Sequence, residues 1–285
     1  PFRSLSVEDE SYVNLGVEMI IAVCVKQILD PEVPPPLFQI DPETKKAVRS
    51  AGVEMVMSPF DEQAVEAAVQ IKESQTGSDN EASVILFSIG TPDTKDVLKH
   101  GLSMGADEAV LVSADEIDLT DSFVTASVLV QAIQTKCKPD LILTGRQAAD
   151  FDVGVVGVGV GELLEWPIVN WAKSVSVDSG KITVERVLSN GFDRVRCESP
   201  AVVSIANEFG EPRKPSLRET MKSARKPISE LKKDDLEGSL GDAPTQNTVS
   251  VAEPEKINEC EMIHGDSAAE IAAKLVTSIQ AAKLI

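Results

Sequence analysis

Cysteine is scarce and unpaired in this sequence. Its four cysteines, Cys24, Cys137, Cys197 and Cys260, form no Cys-x-x-Cys pair. That argues against zinc, iron–sulfur and dithiol redox sites and fits a reducing compartment, with a prokaryotic cytoplasm ranked ahead of a mitochondrial matrix. Aromatic residues make up only 4% of the chain, so Val, Ile, Leu and Ala must fill the core, as suits a parallel sheet covered by helices. Long hydrophobic runs are missing, and none approaches the ~20 residues of a membrane span. The first residues lack a basic segment followed by an apolar one, so no secretory signal is expected. Positive charge is short as well. Twenty-seven Lys and Arg face 46 Asp and Glu, for a formal charge of −19, which disfavours nucleic acid as a partner because phosphate backbones are drawn to basic faces. No Gly-x-x-x-x-Gly-Lys-[Ser/Thr] occurs, and Gly157-Val-Gly159-Val-Gly161 does not fit Gly-x-Gly-x-x-Gly, so neither common phosphate loop is present. There is no catalytic triad and no carboxylate pair arranged for acid–base work.

What is present is an alternation of short apolar runs and helical patterns. The 285 residues are 42% hydrophobic, enough for one large domain or a domain with a tail. Residues 1–18 are polar, acidic and aperiodic and are expected to be a disordered leader or a start-site artefact. Strands are expected at 20–25, 83–89, 109–112 and 141–143, with a small excursion at 39–48. Helices are expected at 59–73, 91–104 and 122–136, and a fourth after the last of these strands. Ser58-Pro59-Phe60-Asp61 supplies a serine cap, a proline at the first helical position and a first-turn carboxylate. Strands alternating with helices dictate a Rossmann-like α/β fold, a doubly wound parallel sheet. After Trp166-Pro167 the period changes to two, and 172–177, 181–188 and 193–197 read as antiparallel hairpins around turns at 178–180 and 190–191. The expected domains are an α/β body at 19–233 and, at 234–285, a linker (237–254) plus a C-terminal helical arm whose apolar face, with Ile271, Leu275 and Ile279, is expected to dock on a partner subunit. Trp166 and Trp171 read as packing residues.

The stretch 140–162 carries the most chemistry. An apolar strand stops at Gly145, and glycines recur at 154, 157, 159 and 161 as a helix begins. Such a junction offers unpaired N–H groups and partial positive charge to a nucleotide phosphate. It serves equally as a close-packed strand–helix corner, and the glycine spacing alone leaves both readings open. With Asp150 and Asp152 in the loop and only Arg146 nearby, a ligand would be held by backbone donors. The carboxylates would cap the helix or accept from hydroxyls.

Three blocks resemble the beta subunit of an electron-transfer flavoprotein: Val23-Cys-Val-Lys-Gln27 with Ser58-Pro-Phe-Asp-Glu-Gln; Gly145-Arg-Gln-Ala-Ala-Asp150-Phe-Asp152; and Val184-Glu-Arg186 through Ser199-Pro-Ala-Val-Val203, Glu211-Pro-Arg213 and Leu217-Arg-Glu-Thr-Met-Lys222. The resemblance implies a heterodimer in which an alpha subunit holds most of an FAD and this chain binds a second nucleotide, AMP or another FAD. That nucleotide would lie against Cys24, Ser58, Pro59, Phe60 and Asp61, against Ile89 and Gly90, and against Gly145, Arg146, Gln147, Ala148, Asp150, Asp152, Val153, Gly154, Val155, Val156 and Gly157. Phe60 would also touch the alpha subunit's flavin. Val155 and Val156 stand where the family usually carries Gln followed by Thr or Val, so a side-chain contact to phosphate or ribose is lost. Phe209 would anchor in an acyl-CoA dehydrogenase. Glu211 follows it, and the cluster Arg213, Lys214, Arg218, Lys222, Arg225 and Lys226 would steer an acidic partner. The implied function is electron transfer from a flavin dehydrogenase to a quinone reductase or other acceptor. The alternatives are an electron-bifurcating subunit that oxidises NADH, and a non-redox module sensing AMP or ATP.

Overall fold

The computed structural model describes residues 19–41, 43–76, 81–115, 117–236, 248–252 and 260–285. The leader expected at 1–18 and most of the linker expected at 237–254 lie outside the described residues. The apolar run at the start becomes strand β1 (Met19–Cys24), with five of its six residues buried. Short strands follow: β2 (Gln27–Leu29), β3 (Ile40–Asp41), β4 (Lys46–Ala47) and β5 (Met55–Met57). β3 pairs with β4, and β2 with β5, each antiparallel. Then come α1 (Pro59–Gln75), β6 (Ala82–Gly90), α2 (Lys95–Met104), β7 (Glu108–Ser113), α3 (Ser122–Lys136), β8 (Leu141–Gly145) and α4 (Val156–Leu164). The hairpin region supplies β9 (Ile168–Asp178), β10 (Lys181–Leu188) and β11 (Gly191–Glu198), before β12 (Ala201–Ile205), α5 (Leu217–Ser223), β13 (Ile228–Leu231) and α6 (Ala268–Ala281).

Nine strands form one sheet in the order β11-β10-β9-β12-β8-β1-β6-β7-β13. The neighbours from β9 to β13 are parallel, and β10 pairs antiparallel with β9 and β11. The expected α/β class and added hairpins are both present. The chain runs outward from β1 through β6 to β7, then returns to place β8 on β1's other side. Open α/β sheets bind ligands beyond the carboxyl ends of strands at such a reversal.

Alternate residues of each central strand face opposite layers. Ile21, Val23, Leu86, Leu141 and Leu143 pack with Ala64, Ala67 and Ala68 of α1 and with Leu98 and Leu102 of α2. Ala22, Phe87 and Ile142 pack with Ala126, Leu129 and Ile133 of α3 and with Val160 of α4. Burial on both faces is why the strands read as continuous apolar runs.

Three local expectations differ. The helix expected at 91–104 begins as a 3-10 turn at Pro92–Thr94, and α2 proper starts at Lys95. Ser58 occupies the N-cap of α1, but its side chain makes no capping bond. Trp171, expected to pack, is 52% exposed with φ +61°, because β9's pairing with β12 shifts register beside it. Trp166 does pack, half-buried, against the α3 side of the core. The described residues divide into two compact units between Ser250 and Val251. In the second, Ser267 caps α6 by accepting from the Glu270 amide.

Candidate nucleotide crevice and docking segment

β1 and β8 are neighbours whose last pair is Cys24 with Thr144. Just beyond it, the amides of Lys26 and Gly145 both point at the first turn of α1. Asp61 lies between them: Oδ2 accepts from Lys26 N at 2.9 Å and Oδ1 from Gly145 N at 3.1 Å. A Cβ on Gly145 would stand 2.5 Å from Asp61 Oδ1, so only glycine admits this approach. Asp61 is buried, and burial outweighs the two amide bonds and the charge of Lys26, raising its carboxyl to about 7. The adjacent Cys24 thiol is pushed up to about 12 by burial and then by Asp61. Cys24 is therefore an inert, neutral wall residue rather than a nucleophile.

The loop after Gly145 is pinned by Lys26 and by its own polar groups. Lys26 Nζ pairs with Asp150 Oδ2 at 2.7 Å and lies 5.5 Å over the Phe151 ring. Gln147 Nε2 donates to Asp152 Oδ1 at 2.7 Å, and Asp152 N to Ala148 O at 2.9 Å. Both carboxylates are thus engaged inside the loop, and neither caps α4, which has no side-chain cap. Asp152 (φ +53°) and Gly154 (φ +68°) turn the chain into α4 through left-handed backbone. The amides of residues 153–157 have no acceptor among the described residues, leaving a helix N-terminus open to an anion. The glycines inside α4 serve packing. A Cβ on Gly157 would meet Thr144 Oγ1 at 2.5 Å, one on Gly161 would meet Ile168 Cγ1 at 2.3 Å, and one on Gly159 would meet Ala126 Cβ at 3.0 Å. The packing reading of the glycine series therefore holds for Gly157, Gly159 and Gly161, while the amides at 153–157 stay open to a ligand.

Around the same strand ends, the hydroxyls of Ser58, Ser88 and Thr144 are buried without a hydrogen-bond partner among the described residues. Buried hydroxyls are ordinarily paired. Ile89 is half-buried against the α3 layer, and Gly90 lies so close to Thr94 that a Cβ would meet its Oγ1 at 2.1 Å. Arg146 sits 5.3 Å over the half-buried Phe60 ring. Val153 and Val155 are exposed, and Val156 is half-buried. Lone amides and orphaned hydroxyls, with both nearby cations already engaged, form a donor set that fits the phosphate and ribose of a nucleotide held mainly by backbone. No cluster of three or more potential metal ligands occurs among the described residues.

The segment after β12 is fastened to α1. Gln63 Nε2 donates to the carbonyls of Asn207 (3.3 Å) and Gly210 (3.1 Å). Arg213 Nε reaches Glu66 Oε2 at 2.7 Å, and its Nη1 reaches Glu73 Oε1 at 2.6 Å. Burial alone would raise the Glu66 carboxyl, but bonds from Arg213 and Gln70 hold it below the ordinary range. Phe209 is half-buried against the α1 side of the core. Lys226 Nζ donates to the carbonyls of Leu102 and Ala106 at the end of α2, and burial lowers its pKa. Three residues expected to face a partner are thus partly occupied internally. What α5 exposes instead is Leu217 (78%) and Met221 (69%), four residues apart on one face. A reciprocal Ser216–Glu219 cap fixes the helix. Lys214, Arg218, Lys222 and Arg225 are exposed nearby, and none is in an ion pair among the described residues. The signal for this face was legible as an apolar pair interleaved with basic residues directly after a capping serine.

The family described as Electron transfer flavoprotein domain matches residues 46–236. The chain is 32% identical over 272 residues to the caffeyl-CoA reductase-Etf complex subunit CarD of Acetobacterium woodii, covering 94% of this chain and 100% of that protein. Identity to the electron transfer flavoprotein subunit beta of Megasphaera elsdenii is 34% over 239 residues, 80% of this chain and 85% of the relative. For the Bacillus subtilis subunit beta it is 31% over 246 residues, 85% and 93%. The chain belongs to the electron transfer flavoprotein family, as a beta-type subunit.

Proposed function

We propose that this chain is the nucleotide-binding half of a heterodimeric electron carrier, with an adenine nucleotide in the crevice beyond β1, β6 and β8. The observation that carries the reading is that, beside the sheet's point of reversal, the amides at 153–157 and the buried hydroxyls of Ser58, Ser88 and Thr144 have no hydrogen-bond partner among the described residues. The amides would receive phosphate, and the hydroxyls would pair with ribose or base. Asp61 holds Lys26 and Gly145 so that the crevice walls keep their spacing. FAD, held mostly by an alpha subunit, would supply the redox chemistry, with Phe60 and Arg146 presenting a planar face toward it. The exposed Leu217 and Met221, ringed by cations, suit docking on an acidic flavin dehydrogenase such as an acyl-CoA dehydrogenase. From there electrons would pass to a quinone reductase or other acceptor.

A second reading, an electron-bifurcating subunit with FAD in the crevice, draws on the likeness to the CarD subunit over 94% of this chain. Co-expression with an alpha subunit, followed by quantification of released FAD and AMP, separates the two. One FAD and one AMP per heterodimer supports the carrier, and two FAD support bifurcation. A heterodimer without any nucleotide beyond the alpha subunit's own FAD refutes both.

A further inference from the structure

Asn207 is the second residue after the end of β12 and belongs to the segment that α1 fastens. Its Oδ1 accepts from Arg146 Nη1 at 2.9 Å, although 61 residues separate the two. Arg146 is also tied by its amide to Ile205 O at 2.9 Å, and its Nε reaches Gln147 Oε1 at 3.3 Å. Gln147 in turn donates to Asp152 Oδ1. On the other side, the Asn207 carbonyl accepts from Gln63 Nε2, which also holds Gly210 O. The crevice loop, the docking segment and the first turns of α1 thus meet at one asparagine. Arg146 further covers Phe60, so its placement also sets the face that α1 presents.

We infer that Asn207 is a positioning residue that makes the crevice loop and the docking segment a single mechanical unit. It rests on the reading of these two segments as the nucleotide site and the partner surface. Because the Asn207 side chain ties Arg146 of the loop to a segment whose backbone α1 already holds, opening of either segment loosens the other, and a ligand that orders the loop also orders the segment that leads to α5. Asn207→Ala removes the acceptor of Arg146 and leaves the backbone bond to Gln63 in place. Asn207→Asp keeps an acceptor and gives it charge.

Hydrogen–deuterium exchange on the heterodimer with its alpha subunit, with and without AMP, tests the assignment. Without AMP, Asn207→Ala should speed exchange at 146–152 by about fivefold, while Asn207→Asp should match the wild type. Equal exchange in Asn207→Ala and wild type, or equal acceleration in both variants, overturns the inference. The AMP arm addresses the underlying reading separately. Protection at 153–157 in the wild type supports the nucleotide site. Its absence refutes that site, while the AMP-free comparison still decides the role of Asn207. Where AMP does protect 153–157, protection should extend to 207–210 in the wild type and fail to do so in Asn207→Ala.

Discussion

Replacing Arg213 by alanine should be among the most damaging single changes outside the core. Glu66 is only 6% exposed at its side chain. Its carboxylate accepts from Arg213 N at 3.1 Å, Nε at 2.7 Å and Nη2 at 3.1 Å, and from Gln70 Nε2 at 2.8 Å. Truncating Arg213 leaves that charge with the Gln70 amide and one backbone N–H. Removing one partner of a buried ion pair costs about 3–5 kcal/mol. Here Arg213 is 32% exposed and Glu73 58%, so solvent screens much of the second pair and about 2–3 kcal/mol is expected. Urea denaturation should show the midpoint falling with an unchanged slope. Glu66→Gln added to Arg213→Ala should recover about 1–2 kcal/mol, because it removes the stranded charge.

The pH dependence follows the same carboxylate. In the wild type its folded pKa is lowered from 4.5, so the pair's contribution is present above that value and lost as pH falls through the folded one. In Arg213→Ala, burial raises the carboxyl instead, and acid relieves the strain. The gap between the two proteins should therefore narrow steadily on acidification. A cost below about 1 kcal/mol, or a gap indifferent to pH, would refute the assignment of Arg213 as the anchor of the docking segment.

Asp61 has the opposite sign. Its folded pKa of about 7 lies above the ordinary 3.8, so its contribution is full below that ordinary value and lost as pH rises through about 7. Thermal melts should fall across that window, and Asp61→Asn should flatten the profile while losing about 1–3 kcal/mol from one amide left unpaired. Leu217→Ala with Met221→Ala should weaken docking to an acidic dehydrogenase at least tenfold by surface binding (about 1.4 kcal/mol) with unchanged melting; undiminished binding would remove α5 from the interface. Gly161→Ala gains about 1 kcal/mol of helix propensity. Its Cβ nevertheless meets Ile168 at 2.3 Å, so a net loss of about 1–2 kcal/mol in chemical denaturation is expected from overpacking.

Much of the architecture was legible before any coordinates. The strand runs at β1, β6, β7 and β8 announced themselves because residues buried on both faces leave no polar positions to interrupt the pattern. The hairpins β9 to β11 did so by their period of two and their Asp-Ser-Gly and Asn-Gly turns. The strand-to-helix junction at 145–157 was legible from its glycines, but their spacing left a phosphate loop and a packing corner equally open, and the close contacts of Gly157, Gly159 and Gly161 appear only in the tertiary structure. Ser58, by contrast, looked like a helix cap by local rule, yet its hydroxyl is buried and partnerless. Asp61 read as a first-turn carboxylate of α1, which it is, but only its contact with Gly145, 84 residues away, shows it to be buried. Phe209 was expected as a partner anchor because the resemblance places it just before Glu211-Pro-Arg213, with a core position as the alternative. That it is half-buried against the α1 side of the core depends on tertiary packing, which no local pattern records.

Sequence alone determined the order and kind of the central strands, the parallel winding, the hairpin insertion and the junction at Gly145. Each of these follows from periodicity and backbone preference over a few neighbouring residues. Tertiary structure alone decided which polar groups turn inward and which apolar ones stay out. Asp61, Arg213 and Lys226 find partners tens to more than a hundred residues away, while Leu217 and Met221 stay largely exposed. The physical reason is that a charge is tolerated inside only when distant groups deliver hydrogen bonds to it, and that delivery exists only once the sheet has brought the strand ends together.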